Sequence, residues 1–363
     1  MKKVLTLSII LTVICTLSIS AQIQHFTWQN RDREFIIRMP AEHEGSVPVI
    51  FFLHGLGDNI TRCDQEFNFS QLANDYGWAI VSPQAINQGA GAMWNAALMS
   101  SSIDDSGFLM ALLDSLTMQY QLDPDSVFFT GFSMGGFMTH RMAIEHGDRI
   151  TACAPVSGLI TNAMAAQTPS VPVRMLHIHG TNDNVVGYDG SSSTFYMTLG
   201  LGVEDILQYW QTANGCYGEP DIDTLPDLQN DGLRFVRYTY NCGTELQHLK
   251  VLGGTHSWYN SDREYDIGYK TFIYNFFKGN DSYTGFNDLE MNRFKLWPNP
   301  TSGPLFIEAD QYTTVTVMDA QGHVVAQHEL QPGTSQLDLH HLPDGVYFVK
   351  EDNGAVTKVI VGR

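Results

Sequence analysis

The sequence predicts an α/β fold built on a mostly parallel sheet, followed by a small all-β sandwich. Three observations carry this reading. Apolar runs of strand length alternate with segments whose apolar residues recur at helical spacing, which puts helices on both faces of a parallel sheet. One such run, Val127 to Phe129, leads through Gly131-Phe132-Ser133-Met134-Gly135 into a helical pattern at Met134, Met138 and Met142. After Lys278 the composition turns to Gly, Asn, Asp and Ser, and from Phe294 onward only short β-type runs remain.

A chain of 363 residues can bury a large core and fits two domains better than one. Charged residues make up 16% and aromatic residues 11%, the balance of a globular protein. With 39 acidic against 20 basic residues the net charge is -19, which argues against nucleic acid and anionic lipid as partners. The acidic surface serves solubility.

Taken in order, Met1-Lys2-Lys3 and the apolar run Val4 to Ile19 form the n-region and h-region of a signal peptide, with cleavage after Ala21. The run is short for a membrane span and no stop-transfer pattern follows, so the mature form is expected to have no span. Cys15 lies inside the h-region. His25 to Trp28 and Glu34 to Met39 form a hairpin with Asn30 to Arg33 as its turn. Val47 to Leu53 is the first strongly apolar strand, and it runs into His54-Gly55-Leu56-Gly57-Asp58. Trp78 to Pro83 is the next strand, and Trp94 in the loop beyond it either lines the cleft or is pinned onto the core. Asp104-Asp105 then caps a helix with apolar positions at Phe108, Leu112, Leu116 and Tyr120.

The glycine-flanked serine has the form of a nucleophile elbow. Such a turn strains the serine backbone and crowds its surroundings, so Gly131 and Gly135 are needed for close approach. Ser133 is therefore the candidate nucleophile. The strand Val173 to Ile178 empties into His179-Gly180-Thr181-Asn182-Asp183, which makes Asp183 the candidate acid. The strand Leu246 to Leu252 is followed by Gly253-Gly254-Thr255-His256 and a helix from about Asp262 to Phe277, which makes His256 the candidate base. Serine, acid, histidine is the chain order of an α/β-hydrolase, and all three leave one edge of the sheet. The amides of Leu56 and Met134 are the candidate oxyanion donors. His54 is expected to orient its loop.

No metal or other cofactor is expected. His177 and His179 stand two apart, but no cysteine or carboxylate lies at ligand spacing beside them. Asp221, Asp223, Asp227 and Asp231 lack the order of a calcium loop and form a solvated acidic loop. Removal of the signal leaves Cys63, Cys153, Cys216 and Cys242 in an exported chain. A Cys216 to Cys242 bridge would close a loop of about 26 residues and stabilise by roughly 3 kcal/mol. Cys153 lies in an apolar stretch as a buried thiol, and the state of Cys63 stays open.

The terminal sandwich is read from runs at Leu305 to Glu308, Thr314 to Met318, Val324 to His328, Leu337 to Leu339, Val346 to Val349 and Val356 to Val361. The organisation is then a signal peptide over 1–21, a hydrolase domain over 22–280, a linker over 281–293 and a sandwich over 294–363.

Two resemblances extend this reading. From about Ile50 to Trp258 the chain resembles the secreted esterase family of polyhydroxybutyrate depolymerases, feruloyl esterases and acetylxylan esterases. The matching pieces are Leu53-His54-Gly55, Asp104-Asp105-Ser106-Gly107-Phe108, Leu122-Asp123-Pro124, Gly131 to Gly136, Ala154-Pro155-Val156-Ser157-Gly158, His179 to Asp183 and Gly253 to Trp258. This resemblance implies a serine esterase with Ser133, Asp183 and His256 as its triad, and the Cys216 and Cys242 pair looks like the family's. The family usually has proline where this chain has Tyr259. The substrate is expected to be a feruloyl or acetyl ester of plant polysaccharide, met by Trp258, Tyr259 and Trp94; a polyhydroxyalkanoate is the alternative substrate. A serine peptidase and an inactive surface adhesin are the rival readings. The second resemblance is to the type IX secretion sorting domain of Bacteroidetes, through Leu296-Trp297-Pro298-Asn299-Pro300-Thr301-Ser302-Gly303, Val317-Met318-Asp319-Ala320-Gln321-Gly322 and Leu342-Pro343-Asp344-Gly345-Val346-Tyr347. It implies export to the cell surface or beyond, with the outer-membrane secretion machinery as a partner.

Overall fold

The computed structural model describes residues 23–279 except 90, 228, 230 and 261–264, and residues 296–362 except 310, 311, 320–322 and 352–355. The expected signal peptide and linker lie outside the described residues.

In chain order the first domain comprises β1 (Gln24–Trp28), β2 (Arg31–Arg38), β3 (Val47–Leu53), α1 (Ile60–Phe67), α2 (Phe69–Tyr76), β4 (Ala79–Pro83), α3 (Asp105–Tyr120) and β5 (Leu122–Phe132). It continues through α4 (Met134–His146), β6 (Ala152–Val156), α5 (Asn162–Ala165), β7 (Arg174–Gly180), β8 (Ser191–Ser192) and β9 (Met197–Thr198). It ends with α6 (Val203–Asn214), β10 (Asp221–Thr224), β11 (Arg234–Tyr240), β12 (Leu246–Leu252) and α7 (Tyr269–Lys278). Ten strands form one sheet in the order β1-β2-β4-β3-β5-β6-β7-β12-β11-β10. Its centre, from β4 to β12, is parallel, and an antiparallel hairpin closes each side.

Alternation along the central strands explains the layering. Val49, Phe51 and Leu53 face a core shared with α3, α4 and α6, including Phe108, Phe137 and Trp210. Ile50 and Phe128 face the other side, where Phe272, Ile273 and Phe276 of α7 cover them. Phe52 on that same side meets Phe67 and Phe69 at the α1–α2 junction. Central strands buried on both faces read as unbroken apolar runs, which is why the sequence exposes them so clearly.

Three local expectations are corrected. The opening turn is Gln29-Asn30, both with left-handed backbone (φ 48° and 60°), so β2 starts at Arg31 and the polar Arg31 and Asp32 are paired strand residues. The acidic segment is not all loop, because Asp221 to Thr224 form the edge strand β10, and Asp223 meets Arg237 at 2.9 Å. The last helix begins only at Tyr269, after an extended Gly268; Asp262, its expected start, lies outside the described residues.

The terminal domain holds β13 (Leu296–Trp297), β14 (Pro304–Ala309), β15 (Thr313–Met318), β16 (Val324–Leu330), β17 (Gly333–Asp338), β18 (Gly345–Glu351) and β19 (Val356–Val361). They form one sheet ordered β13-β14-β17 and another ordered β16-β15-β18-β19. Leu305, Ile307 and Leu337 of the first sheet and Val315, Val317, Val349 and Val359 of the second share one buried core. This is the expected antiparallel sandwich.

Candidate active site

The site is built at the carboxyl end of the parallel strands. Between β5 and α4, Ser133 adopts φ 55° and ψ -119°, a conformation an L-residue holds only under strain. Crowding on all sides keeps it there. A Cβ on Gly131 would lie 2.6 Å from the Leu53 carbonyl oxygen, and one on Gly135 would lie 1.8 Å from that same atom. A Cβ on Gly158 would meet the Gly136 backbone at 2.3 Å, so the segment just after β6 also packs directly on the start of α4. The Ser133 amide donates to the Val156 carbonyl at 2.9 Å, tying the turn to that strand.

The candidate acid and histidine come from the loops after β7 and β12, two and three strands along the sheet from β5. After β7, the Asp183 carboxylate is buried; its Oδ1 accepts from the amides of Val185 (2.9 Å) and Val186 (2.8 Å). Its Oδ2 lies 2.7 Å from Nδ1 of His256, in the loop after β12. The two loops are laced together by the Asn182 amide on the Gly254 carbonyl (2.8 Å) and the Gly253 amide on the Thr181 hydroxyl (3.0 Å). His256 is brought to the elbow by its ring, which packs on Phe132, the residue before Ser133, at 4.7 Å between centroids. Among the described residues no hydrogen bond of standard length joins Ser133 to His256, and bonds of this kind commonly tighten only when substrate arrives.

The candidate oxyanion donors stand beside the serine. The first backbone bond of α4 is from Phe137 to the Ser133 carbonyl (3.0 Å), so the Met134 amide precedes the helical ladder. Leu56 follows Gly55, whose Cβ position would lie 3.7 Å from the Ser133 Cβ. The buried His54 fixes that loop. Its Nε2 accepts from the Ala85 amide (3.0 Å), so the proton sits on Nδ1 and donates to the Gly55 carbonyl at 2.7 Å. Burial lowers the His54 pKa and favours this neutral form.

Two candidates for substrate contact are not at a surface. Trp94 is 1% exposed, donates from Nε1 to the His54 carbonyl at 3.0 Å, and packs beside that imidazole. It supports the Leu56 loop from beneath. Tyr259 is also buried, with its hydroxyl accepting from the Thr255 amide (2.9 Å) and its ring against Tyr265 and Tyr269. Apolar packing draws both inward. Trp258 is half-buried among Phe52, Phe67, Phe132 and Tyr269, and it lines an apolar cavity with Ile80 and Ile273.

The Cys216–Cys242 bridge is present, while Cys63 and Cys153 are free and buried. One feature escaped the sequence reading: His140, His177, His179 and His248 are all buried, with His177 stacked on the other three at 5.3 to 5.5 Å. They come from α4, β7 and β12, and only the His177 and His179 pair was visible as a pattern. Among the described residues no three His, Cys, Asp or Glu side chains are arranged to hold a metal ion. No described helix is long and apolar enough to cross a membrane.

A serine held on a strained strand-to-helix turn, with an acid–histidine pair at the same sheet edge, defines the architecture of an α/β-hydrolase. Residues 34–200 match the phospholipase/carboxylesterase family, and residues 295–362 match the secretion system C-terminal sorting domain. A segment similar to that ester-hydrolase family is thus followed by a match to a type IX sorting domain, the kind that marks a chain for secretion. A bifunctional acetylxylan esterase/xylanase of Neocallimastix patriciarum is 27% identical over 234 residues, covering 63% of this chain and 31% of that protein. Feruloyl esterase B of Piromyces equi is 25% identical over 200 residues, covering 53% of this chain and 37% of that protein. The chain spans about a third of the length of these two relatives. In fold it is similar to the acetyl xylan esterase from Aspergillus awamori, with a TM-score of 0.50 and 16% identity over 65% of this chain and 94% of that one.

Proposed function

We propose that the chain is a secreted serine carboxylester hydrolase that works through an acyl-enzyme on feruloyl or acetyl esters of plant polysaccharide. The observation that carries this reading is the strained Ser133 beside the hydrogen-bonded Asp183 and His256 pair. His256, held by Asp183 in the tautomer with its proton on Nδ1, takes the hydroxyl proton of Ser133 at Nε2 as the oxygen attacks the ester carbonyl. The amides of Leu56 and Met134 receive the developing oxyanion, each donor contributing roughly 3 kcal/mol in comparable sites. The imidazolium then returns the proton to the leaving alcohol. Water, activated in the same way, releases the acid and restores Ser133. Every step is proton transfer and acyl transfer, for which Ser133, Asp183, His256 and the two amides suffice.

The relatives' names, acetylxylan esterase and feruloyl esterase, support the substrate class. A rate comparison tests it: kcat/KM for methyl ferulate and acetylated xylan is expected to exceed that for hydroxybutyrate oligomers. A tenfold preference for the oligomers would identify a polyhydroxyalkanoate depolymerase instead. Hydrolysis of peptide substrates alone would point to a peptidase, and no turnover of any kind would leave the adhesin reading.

A further inference from the structure

Asp183 is held by more than its own loop. His179 lies four residues upstream on β7, wholly buried, with its Nε2 2.7 Å from the Val186 carbonyl and 3.8 Å from Oδ2 of Asp183. A carbonyl only accepts, so Nε2 carries the proton and donates it to Val186. Nδ1 is buried without a hydrogen-bond partner, and burial lowers the pKa of the ring, so the imidazole stays neutral. The N–H end of its dipole therefore points toward the carboxylate oxygen that also serves His256. Val186 matters twice, since its amide holds the other oxygen, Oδ1, at 2.8 Å. The ring itself cannot swing, because His177 stacks on one side at 5.4 Å and Tyr188 meets it edge-on at 5.8 Å.

We propose that His179 is a positioning residue: it clamps the Asp183–Val186 turn and, through it, the carboxylate orientation that His256 requires. This rests on the triad reading above. The ionisable groups facing His179 are Asp183 on its own loop, His256 after β12, His177 beside it on β7, His140 on α4, His248 on β12 and Tyr188 beyond the turn.

The test uses the full chain with His179→Phe, which keeps a ring and removes the N–H, and His179→Gln, which restores a donor. In the Phe variant kcat on p-nitrophenyl acetate is expected to fall roughly tenfold to a hundredfold with KM little changed, the scale of a displaced catalytic group. The acid limb of kcat/KM should move to lower pH, and the Gln variant should recover most of the loss. Proton NMR gives a readout independent of turnover, because the far-downfield resonance of the His256 Nδ1 proton should weaken in the Phe variant and return in the Gln variant. If that resonance and the acid limb are unchanged in a folded His179→Phe protein, the proposal is overturned. If Phe does not fold, a Gln variant with no recovered resonance overturns it equally. Should the wild type hydrolyse no ester while the resonance responds as described, the functional reading fails and the positioning role stands.

Discussion

Nδ1 of His256 lies 2.7 Å from Oδ2 of Asp183 across 73 residues of sequence, and both side chains are carried by loops from adjacent parallel strands. The pairing of β7 with β12, with His248 opposite His177 and Val251 opposite Gly180, brings the two loops together. Parallel pairing aligns the strands' carboxyl ends, so a site of this kind needs no contact between residues close in sequence.

Replacing Ser133 with alanine should abolish ester hydrolysis, by about a millionfold in kcat if it behaves as comparable nucleophiles do. Labelling by a fluorophosphonate should vanish with it, while the melting temperature stays nearly constant because the side chain makes no capping hydrogen bond. Ser133→Gly should raise stability by roughly 1 kcal/mol, since glycine accepts this backbone without strain. Persistent labelling of the alanine variant would show that another residue is the nucleophile.

Gly135→Ala is expected to be far more damaging than an ordinary glycine replacement. Its Cβ would sit 1.8 Å from the Leu53 carbonyl oxygen, a backbone atom that cannot rotate away, so β3 and α4 must separate. A loss of several kcal/mol, about 3 or more, follows, to be read from denaturant midpoints together with esterase rate.

Much of this was legible beforehand. The elbow, the candidate acid and the candidate histidine each follow a strand buried on both faces, and such strands give strong local signals. Tyr259 was misplaced, and Trp94 left open between cleft and core, for a general reason. An aromatic in a loop carries no periodicity, so nothing local distinguishes a ring beneath the loop from one above it. The same limit hid the contact among His140, His177 and His248, which is made only when α4, β7 and β12 assemble.

With His179 added, these four buried histidines predict acid sensitivity. Burial drives the pKa of all four downward, to about 3 for His140 and His248. In the unfolded chain they return to the ordinary value of 6.5. Above that value they are neutral in both states and contribute nothing to pH dependence. Below it the unfolded chain gains protons that the fold refuses, so stability falls steadily from pH 6.5 toward 3. For His140 and His248 alone the loss by pH 5 is about 4 kcal/mol. Calorimetry at pH 7 and pH 5 measures it, and His248→Gln should flatten the slope.

The disulfide joins the C-terminal side of α6 to the segment before β12, with a sequence separation of 26 between its cysteines. Its replacement by two alanines should lower stability by roughly 3 kcal/mol on the chain-entropy account. Non-reducing mass spectrometry of secreted protein checks the bridge itself, with Cys63 and Cys153 recovered as free thiols.

A chain ended at Lys278 should fold and retain esterase activity, because Ser133, Asp183, His256, Leu56 and Met134 all precede it. In the native host the same truncation should prevent secretion, since it removes the sorting domain. Lost activity in the purified truncated protein would mean that the sandwich supports the site.

A ten-stranded open sheet leaves two backbone edges that another chain could extend into an aggregate. At one of them, β10, all four residues are exposed and two are aspartates, Asp221 and Asp223. Growth through this edge would force those carboxylates against acidic neighbours on another copy, a repulsion reinforced by the net charge of -19. The strand is also short, which leaves few backbone groups to recruit a partner. The exposed carboxylates of β10 therefore oppose strand addition at this edge of the sheet.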